Sequence, residues 1–290
     1  MELHFLKICW GDIILLKSGV EYAMIDTGHE EDFPQIQAYL KRLGVERLSF
    51  ILLSHFHKDH YGALPQIVAN FKVEKVYLKQ YSALDYKTAG GKIADDAYRQ
   101  SERERFQSIK QAVEEHSTMI PVEGIGEIPF DGYRLKLYNA QNLLQKIYDD
   151  EAYPNYYHRE RFSENQNCLA ALLKVGDVNV FFGGDVRDEE WHHPLANRTN
   201  TQIAQAIGEE IDIYKVPHHG TNRCNTDEAL SIYKPKIAVI TNGRDFVEHN
   251  STILQDLKRA NPHVNVLLTG EGDIVLRISE NGSITVGESV

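Results

Sequence analysis

The chain has 290 residues, of which 42% are hydrophobic, and a formal net charge of −11. This length and apolar content are enough for a large core, and no apolar run approaches the roughly 20 residues of a membrane span. The negative net charge argues against an extended surface that coats nucleic acid, but it is compatible with an enzyme that binds one or two phosphates locally. Three cysteines without C-x-x-C spacing, and an N-terminus that shows no signal peptide, predict a cytoplasmic protein without a membrane partner.

The first half of the chain alternates predicted strands and helices. Two strands pair about the Ser18-Gly19 turn, and the second of them ends at Asp26. A helical apolar period then stops at Gly44, where a helix is expected to end. The predicted elements that follow are a strand over 48–53, a helix over 63–71 and a strand over 73–78.

The segment after the 48–53 strand carries the strongest signal in the chain. It reads His55-Phe56-His57-Lys58-Asp59-His60, which is an H-x-H-x-D-H pattern at the end of an apolar run. Alternate residues of extended chain share a side, so we expect His55 and His57 to point the same way. Asp59 and His60 lie on the next turn and can face a second ion. Imidazole and carboxylate ligands suit Zn²⁺ and also accept Mn²⁺ or Fe²⁺.

The second half repeats the mixture of strands and helices. Gly176-Asp177 predicts a hairpin between two apolar strands, and Asn281-Gly282 predicts another near the C-terminus. Strands are predicted over 169–175, 178–182, 211–216, 237–241, 264–268, 274–278 and 284–286, and helices over 226–233 and 252–260. Strands mixed with helices in both halves predict an α/β fold, in which two sheets pack face to face with helices outside.

Two segments interrupt this pattern within what we read as a single domain over 1–290. Residues 81–116 are polar and predicted to be mostly helical, with Phe106, Ile109 and Val113 on one face. Residues 147–166 are rich in aromatic and charged side chains and show little periodicity. Long insertions in compact domains are usually functional or disordered.

Further polar residues stand at predicted strand ends. Asp185 follows Gly183-Gly184, whose glycines allow close backbone approach, and it is a candidate bridging metal ligand. His218 and His219 follow another strand; one can be a ligand and its neighbour a substrate contact or a support for a ligand. We expect Asp26 to fix the metal loop by hydrogen bonds rather than to bind metal.

These motifs together resemble the metallo-β-lactamase-fold hydrolases. The H-x-H-x-D-H pattern followed by Tyr61-Gly62 is specific for that superfamily. The stretch from Asn165 to Leu169, then Gly183-Gly184-Asp185, then Lys215-Val216-Pro217-His218-His219-Gly220-Thr221, resembles the hydrolase domain of bacterial DNA-uptake (competence) channel proteins and the related choline-phosphate esterases. The resemblance implies an αββα four-layer sandwich and a stand-alone relative without the membrane-spanning part of the competence proteins.

The resemblance also implies a role for each motif residue. His55 and His57 would hold a first divalent ion, Asp59 and His60 a second, Asp185 would bridge them, and His218 would complete the second site. Many superfamily members supply a further histidine to the first ion, but this chain has Asn165-Gln166-Asn167-Cys168 there. Water, substrate, Asn167 or Cys168 could take that place, which predicts a weakly held first ion; Cys168 also fits a buried core thiol.

Two close divalent ions, zinc or manganese, would lower the pKa of a shared water and so provide a bridging hydroxide near neutral pH. Asp59 could orient that hydroxide, and His219 or His249 could assist the leaving group. The chemistry of the similar families makes phosphodiester hydrolysis our first expectation. Hydrolysis of a carboxylic ester, lactone, thioester or lactam is the alternative.

The 147–166 insertion is expected to line the substrate entrance, because it precedes the position of the missing ligand. Aromatic faces can hold a cation or a base, and arginine can hold a phosphate. Tyr156, Tyr157 and Arg159 are therefore candidate contacts for a small-molecule or phosphodiester substrate, together with Asn167.

Overall fold

The structure is a computed structural model, and it describes residues 1–82, 94–141, 164–188, 198–222 and 224–287. Within these residues the strands are β1 (Glu2–Phe5), β2 (Ile13–Ser18), β3 (Glu21–Thr27), β4 (Arg47–Leu48), β5 (Phe50–Leu52), β6 (Lys72–Val73), β7 (Lys75–Leu78), β8 (Thr118–Pro121), β9 (Glu127–Phe130), β10 (Tyr133–Tyr138), β11 (Ala170–Val175), β12 (Val178–Phe182), β13 (Ile213–Lys215), β14 (Ile237–Ile240), β15 (Asn265–Leu268), β16 (Ile274–Ile278) and β17 (Ile284–Gly287).

The α-helices of the same residues are α1 (Phe33–Arg42), α2 (Lys58–Tyr61), α3 (Leu64–Asn70), α4 (Asp96–His116), α5 (Thr199–Ile207), α6 (Asp227–Tyr233), α7 (Arg244–His249) and α8 (Ile253–Ala260). Short 3₁₀ turns cover Glu30–Asp32, Glu164–Asn167, Pro217–Gly220 and Thr269–Glu271.

Two large sheets carry most of the strands. Their strand orders are β17-β16-β1-β2-β3-β5-β7-β8 and β15-β14-β13-β12-β11-β10-β9, and β4 pairs with β6 separately. The strands β3, β5, β7 and β8 run parallel, as do β12 to β15 and the separate pair β4 and β6, while the other pairs are antiparallel. Because parallel neighbours end at the same edge of a sheet, the loops after β3 and β5 meet, and so do the loops after β12 and β13.

Three apolar clusters fill the spaces between four layers. The central cluster joins the facing sides of the two sheets, with Leu3, Phe50, Leu135 and Phe182 among its buried members. A second cluster packs α1, α3 and α4 on the outer face of the first sheet, and a third packs α5, α6 and α8 on the second. The layers therefore run helix, sheet, sheet, helix, which confirms the predicted αββα sandwich.

The predicted helical insertion near 81–116 contains α4. Phe106 and Val113 of this helix are buried against α3 and the first sheet, as the apolar spacing predicts. Residues 83–93 and 147–163 of the two predicted insertions lie outside the described residues, and the single-domain reading stays a prediction. None of the helices in the described ranges is long and apolar enough to span a bilayer.

Candidate metal centre

The H-x-H-x-D-H motif lies where β5 ends. His55 and His57 occupy the loop, and α2 opens directly after them, so that Asp59 and His60 fall on its first turn. The Nε2 atom of His55 lies 3.0 Å from Nδ1 of His57, as expected for two side chains that share one side of an extended loop. The Nδ1 atom of His55 lies 3.0 Å from the Ser54 hydroxyl, which directs its Nε2 toward the interior of the site.

Asp185 follows β12 and reaches the same place from the second sheet. Its backbone N–H donates to Cys168 Sγ at 3.0 Å. Gly184 before it has φ +49°, and a Cβ there would come within 2.6 Å of the same sulfur. The glycine is therefore required both by the backbone conformation and by close packing, and it brings the aspartate between the two histidine groups.

The histidine pair after β13 has an unusual backbone. His218 has φ 50° and ψ 46°, and His219 has φ 53° and ψ 26°, so both residues are left-handed. Such a conformation costs about 1–3 kcal/mol for each non-glycine residue and is typical of functional sites. Its effect here is that both imidazoles reach Asp185, although the two residues are adjacent.

One set of side chains gathers around a single oxygen of Asp185. Asp185 Oδ1 lies 3.3 Å from Nε2 of His60 and 3.3 Å from Nε2 of His219. Asp59 Oδ2 lies 3.3 Å from the same nitrogen of His219 and 3.8 Å from that of His60. His219, and not His218, thus stands with Asp59 and His60 in the set that sequence analysis assigned to the second ion.

The other oxygen of Asp185 faces a different set. Asp185 Oδ2 lies 3.7 Å from Nε2 of His55 and 3.7 Å from Nε2 of His218. Ligand atoms of His55, His57 and Asp185 all lie within 4.8 Å of one another. His218, which was predicted to complete the second set, therefore lies on the side of the first.

A buried carboxylate orients His60. Asp26 Oδ2 accepts from His60 Nδ1 at 2.7 Å, and Asp26 Oδ1 accepts from the backbone N–H of Ser54 at 2.7 Å. Since an ionised carboxylate only accepts, the His60 Nδ1 carries a proton, and the ring is held with its Nε2 facing Asp185. Asp26 fixes the metal loop by hydrogen bonds, as the sequence indicates.

A second buried network orients His219. The His219 Nδ1 lies 2.9 Å from the Thr241 hydroxyl and 3.5 Å from Asp12 Oδ1. Thr241 donates to Asp12 at 2.7 Å, which leaves its oxygen free to accept from His219. Asp12 is also ion-paired with Lys215, and Lys215 Nζ donates to the Gly184 carbonyl at 2.9 Å. The base of the site is thereby tied to β2, β13 and the loop after β12.

The carboxylates dominate the electrostatics of the centre. Burial lowers the pKa of His219, but the charge of Asp185 and the hydrogen bonds with Asp12, Asp185 and Asp59 outweigh it and raise that pKa to about 10. Burial also lowers the pKa of His60, and Asp185, Asp26 and Asp59 again reverse this and hold it well above its ordinary value. The cluster thus carries an excess of negative charge that positive charge between the ligands would neutralise.

The imidazoles on the other side behave differently. Burial, with the neighbouring histidines, holds the pKa of His55 well below its ordinary value. Burial does the same for His218, although Asp185 opposes it. Both rings are therefore neutral near pH 7, which is the form in which imidazole binds a metal.

Three buried atoms at the centre have no hydrogen-bond partner: Nε2 of His60, Nε2 of His219 and Oδ1 of Asp185. Buried polar atoms are normally paired. Here each of the two Nε2 atoms lies 3.3 Å from the Oδ1 atom of Asp185, so three unpaired atoms lie close together and need an explanation. Ligand atoms about 2.0–2.1 Å from a tetrahedral zinc ion lie about 3.3 Å from one another. The residues therefore fit a divalent metal ion.

The other residues predicted near the first ion are placed as follows. Asn167 is buried, and its side-chain amide nitrogen donates to the Gln80 carbonyl and to Glu164, each at 3.0 Å. Cys168 is buried beneath Asp185, and burial raises the pKa of its thiol, as expected for a core cysteine. Asn165 instead approaches the centre, with its amide nitrogen 3.2 Å from His218 Nε2.

Some predicted residues are not brought to the centre. His249 ends α7 with 69% of its side chain exposed, and its Nδ1 lies 2.9 Å from the Asp245 carbonyl and 3.2 Å from the Asp245 carboxylate. No described contact joins it to the metal cluster. Tyr156, Tyr157 and Arg159 lie outside the described residues.

No pattern of ligands in the sequence singles out Asp12, Thr241 or Asn165. Asp12 and Thr241 lie 229 positions apart in the chain, and neither stands in a local pattern of ligands. Asn165 falls within the stretch where the missing histidine was expected, and that position was its only signal.

The four layers, with the histidine–aspartate cluster at the ends of their parallel strands, have the architecture of the metallo-β-lactamase fold. Residues 11–124 match the family model described as the metallo-beta-lactamase superfamily. Among curated proteins, ComE operon protein 3 of Bacillus subtilis (strain 168) is 21% identical over 249 residues, which cover 85% of this chain and 25% of that protein. The chain thus spans about a quarter of this relative's length.

Solved structures show the same fold over the full length. The metallo-beta-lactamase fold protein YhfI from Bacillus subtilis is 13% identical, with 99% of each chain covered and a TM-score of 0.54. Igni18, a metallo hydrolase from the archaeon Ignicoccus hospitalis, is 12% identical, with 99% of each chain covered and a TM-score of 0.50. At these identities the likeness concerns the fold alone.

Proposed function

We propose that this protein is a dinuclear metal-dependent hydrolase, with zinc or manganese as its ions and a phosphodiester as its substrate. The observation that carries the proposal is that the two carboxylate oxygens of Asp185 face different pairs of histidines. One of its oxygens faces His60 and His219 at 3.3 Å, and the other faces His55 and His218 at 3.7 Å. A carboxylate placed between two imidazole pairs is suited to bridge two ions.

The two ligand sets follow from this arrangement of the Asp185 oxygens. Asp59, His60, His219 and Asp185 would hold one ion, which moves His219 from a leaving-group role to a ligand. His55, His57 and Asp185 would hold the other. The place of the missing histidine then falls to His218, whose Nε2 faces the same oxygen as His55, with Asn165 beside it.

Two divalent ions, when bound, lower the pKa of water and stabilise the attacking and leaving oxygens of an in-line displacement. The residues of the chain orient the metal-binding imidazoles and exclude bulk water from them. Asp26 and the Asp12–Thr241 pair hold the Nδ1 protons of His60 and His219, so that the Nε2 atoms are the ones that would lose their protons and face a bound ion. The ligands other than Asp59, His57 and His218 are almost fully buried, which keeps bulk water from competing for them.

A phosphodiester is favoured over a carboxylic ester by the charge beside His218. Cys224 Sγ lies 3.2 Å from His218 Nδ1, and Arg187 donates a hydrogen bond to Cys224. A guanidinium so close to the ligand set favours an anionic substrate, because arginine pairs with phosphate oxygens. The resemblance to competence-channel hydrolase domains and choline-phosphate esterases points the same way.

The test compares substrate classes on metal-stripped protein reloaded with Mn²⁺ or Zn²⁺. Bis(p-nitrophenyl) phosphate, p-nitrophenyl acetate and a chromogenic β-lactam share a simple optical readout. We expect metal-dependent turnover of the phosphodiester above the other two. Preferred turnover of the ester or the lactam would instead support the alternative class, and no turnover with any of them after metal loading would contradict a hydrolase.

A matched pair of variants tests the bridging role. Asp185→Asn should lower kcat/KM by more than about 100-fold, because ligand loss exceeds the 10–100-fold typical of the groups that support ligands. Asp177→Asn makes the same change in an exposed hairpin turn and should leave turnover unchanged. Near-normal turnover of Asp185→Asn with two bound ions would show that Asp185 does not bridge.

A further inference from the structure

Trp10 places an indole ring against the two active-site histidines. Its ring centroid lies 5.3 Å from that of His219 and 6.3 Å from that of His218. The Phe246 ring packs against the indole at 5.2 Å with an interplanar angle of 88°. Trp10 and Phe246 therefore form an aromatic corner next to the metal centre.

The position of this corner relative to the opening follows from exposure. The side chains of His55, His60 and His219 are fully buried, whereas 15% of the Asp59 side chain and 13% of the His218 side chain are exposed. Among the described residues, the centre thus meets solvent on the side of Asp59, His218 and the partly exposed His57. Trp10 borders this side and is itself 37% exposed.

Several contacts fix the backbone around Trp10, and they hold the indole ring in a defined position beside the histidines. Its carbonyl accepts from His29 Nε2 at 2.9 Å, and its backbone pairs with Asn242 in an isolated bridge. Gly11, the next residue, has φ +130° and packs so closely on the Asp59 carbonyl that a Cβ would come within 2.6 Å. Asn242 in turn donates to the His219 carbonyl at 3.2 Å, which links the ring's support to the metal ligand.

We propose that Trp10 is a specificity-determining residue, whose exposed indole stacks a flat ring of the substrate, such as a nucleobase, beside the scissile phosphodiester. The inference rests on the proposed function. Of the large hydrophobic side chains exposed in the described residues, the other two are Val20 at a hairpin turn and Val286 on an edge strand. Of these three side chains, Trp10 is the one that combines exposure with contact to the histidines of the cluster.

The chemistry of the corner favours a planar neutral ring over a cationic headgroup. Phe246 stands at a right angle to the indole, so the corner offers one flat wall and one apolar side rather than a cage of several faces. The guanidinium of Arg187 hydrogen-bonds to Cys224 beside the Nδ1 atom of His218, and its positive charge would repel a quaternary ammonium group.

Two substrates with the same leaving group test the proposal: thymidine 5′-(p-nitrophenyl phosphate) and methyl p-nitrophenyl phosphate. We expect Trp10→Ala to lower kcat/KM for the thymidine ester about tenfold, equivalent to ~1.4 kcal/mol of stacking, and for the methyl ester by less than about twofold. Trp10→Phe should recover part of the loss. Val286→Ala is the control for loss of an exposed apolar side chain.

A binding measurement separates this inference from the proposed function. In a Trp191→Phe background Trp10 is the sole tryptophan, and thymidine 5′-monophosphate should quench its fluorescence in a saturable manner. Quenching by the nucleotide in a protein without phosphodiesterase activity would refute the proposed function but keep the stacking site. Equal losses on both esters, a larger effect on p-nitrophenyl phosphorylcholine, or turnover with no quenching would overturn the role of Trp10.

Discussion

Replacing Lys215 should reveal how strongly the buried ion pair beneath the metal centre supports the fold. Neither side chain of the Lys215–Asp12 pair is exposed to solvent. Lys215→Met keeps much of the volume but leaves the Asp12 carboxylate buried without its cation and removes the donor to the Gly184 carbonyl. Breaking one partner of a buried pair costs about 3–5 kcal/mol of unfolding free energy.

The size of the thermal effect follows from the chain length. An unfolding entropy of ~2.1 cal/mol/K per residue gives ~0.6 kcal/mol/K for a chain of 290 residues. A loss of about 3–5 kcal/mol should therefore lower Tm by about 5–8 °C. Calorimetry and urea unfolding in the presence of a chelator measure the loss without a contribution from metal binding.

A surface pair provides the matched control. Lys174 contacts Glu209 at 2.7 Å, but both side chains are about half exposed. Lys174→Met should cost less than about 1 kcal/mol, because exposed pairs contribute little. The double variant Asp12→Asn with Lys215→Met should be less destabilised than the sum of its single changes. If Lys215→Met cost no more than Lys174→Met, the buried pair would not support the fold as argued.

Three other expectations concern metal content, pH and the 147–166 insertion. Elemental analysis after reconstitution should find up to two divalent ions per chain, with the first ion removed more readily because His57 and His218 of its set are partly exposed; absence of bound metal would contradict the proposal. Burial lowers the pKa of His4 to about 4 despite Glu2, so stability should be complete above about pH 6.5 and fall by up to ~3 kcal/mol as pH drops toward 4, whereas His4→Gln should flatten this limb of a urea–pH series. Replacing Tyr156, Tyr157 and Arg159 together by alanine should raise KM or lower kcat/KM with metal retained, and unchanged kinetics would exclude this insertion from the substrate entrance.

The residues of the centre that could be predicted from the sequence are those that directly follow a strand. Asp26 follows β3 and the H-x-H-x-D-H loop follows β5, and these strands are parallel neighbours, with Ile25 opposite Leu52. Asp185 and the histidine pair likewise follow the parallel neighbours β12 and β13. Apolar runs that stop at polar residues mark such ends in a sequence, so the edge of each sheet was predictable.

The orientation of the histidine pair was not predictable in this way. In extended chain His218 and His219 would point to opposite sides, and in a right-handed helix they would be about 100° apart. Both residues instead have positive φ, a conformation that local propensity disfavours and that the surrounding structure must impose. The fixed backbone after Gly184 and the network behind His219 therefore decide which imidazole meets Asp59.

The role of Asp12 could not be predicted from its neighbours in the sequence, because its partners come from distant parts of the chain. Lys215 and Thr241 belong to the second sheet region, while Asp12 precedes β2 of the first. A lone aspartate before a strand is ordinarily a turn or cap residue. Only the packing of the two sheets turns it into the buried anion that holds Lys215 and supports His219. The residues that bind metal thus follow local patterns, whereas those that orient them depend on how the sheets meet.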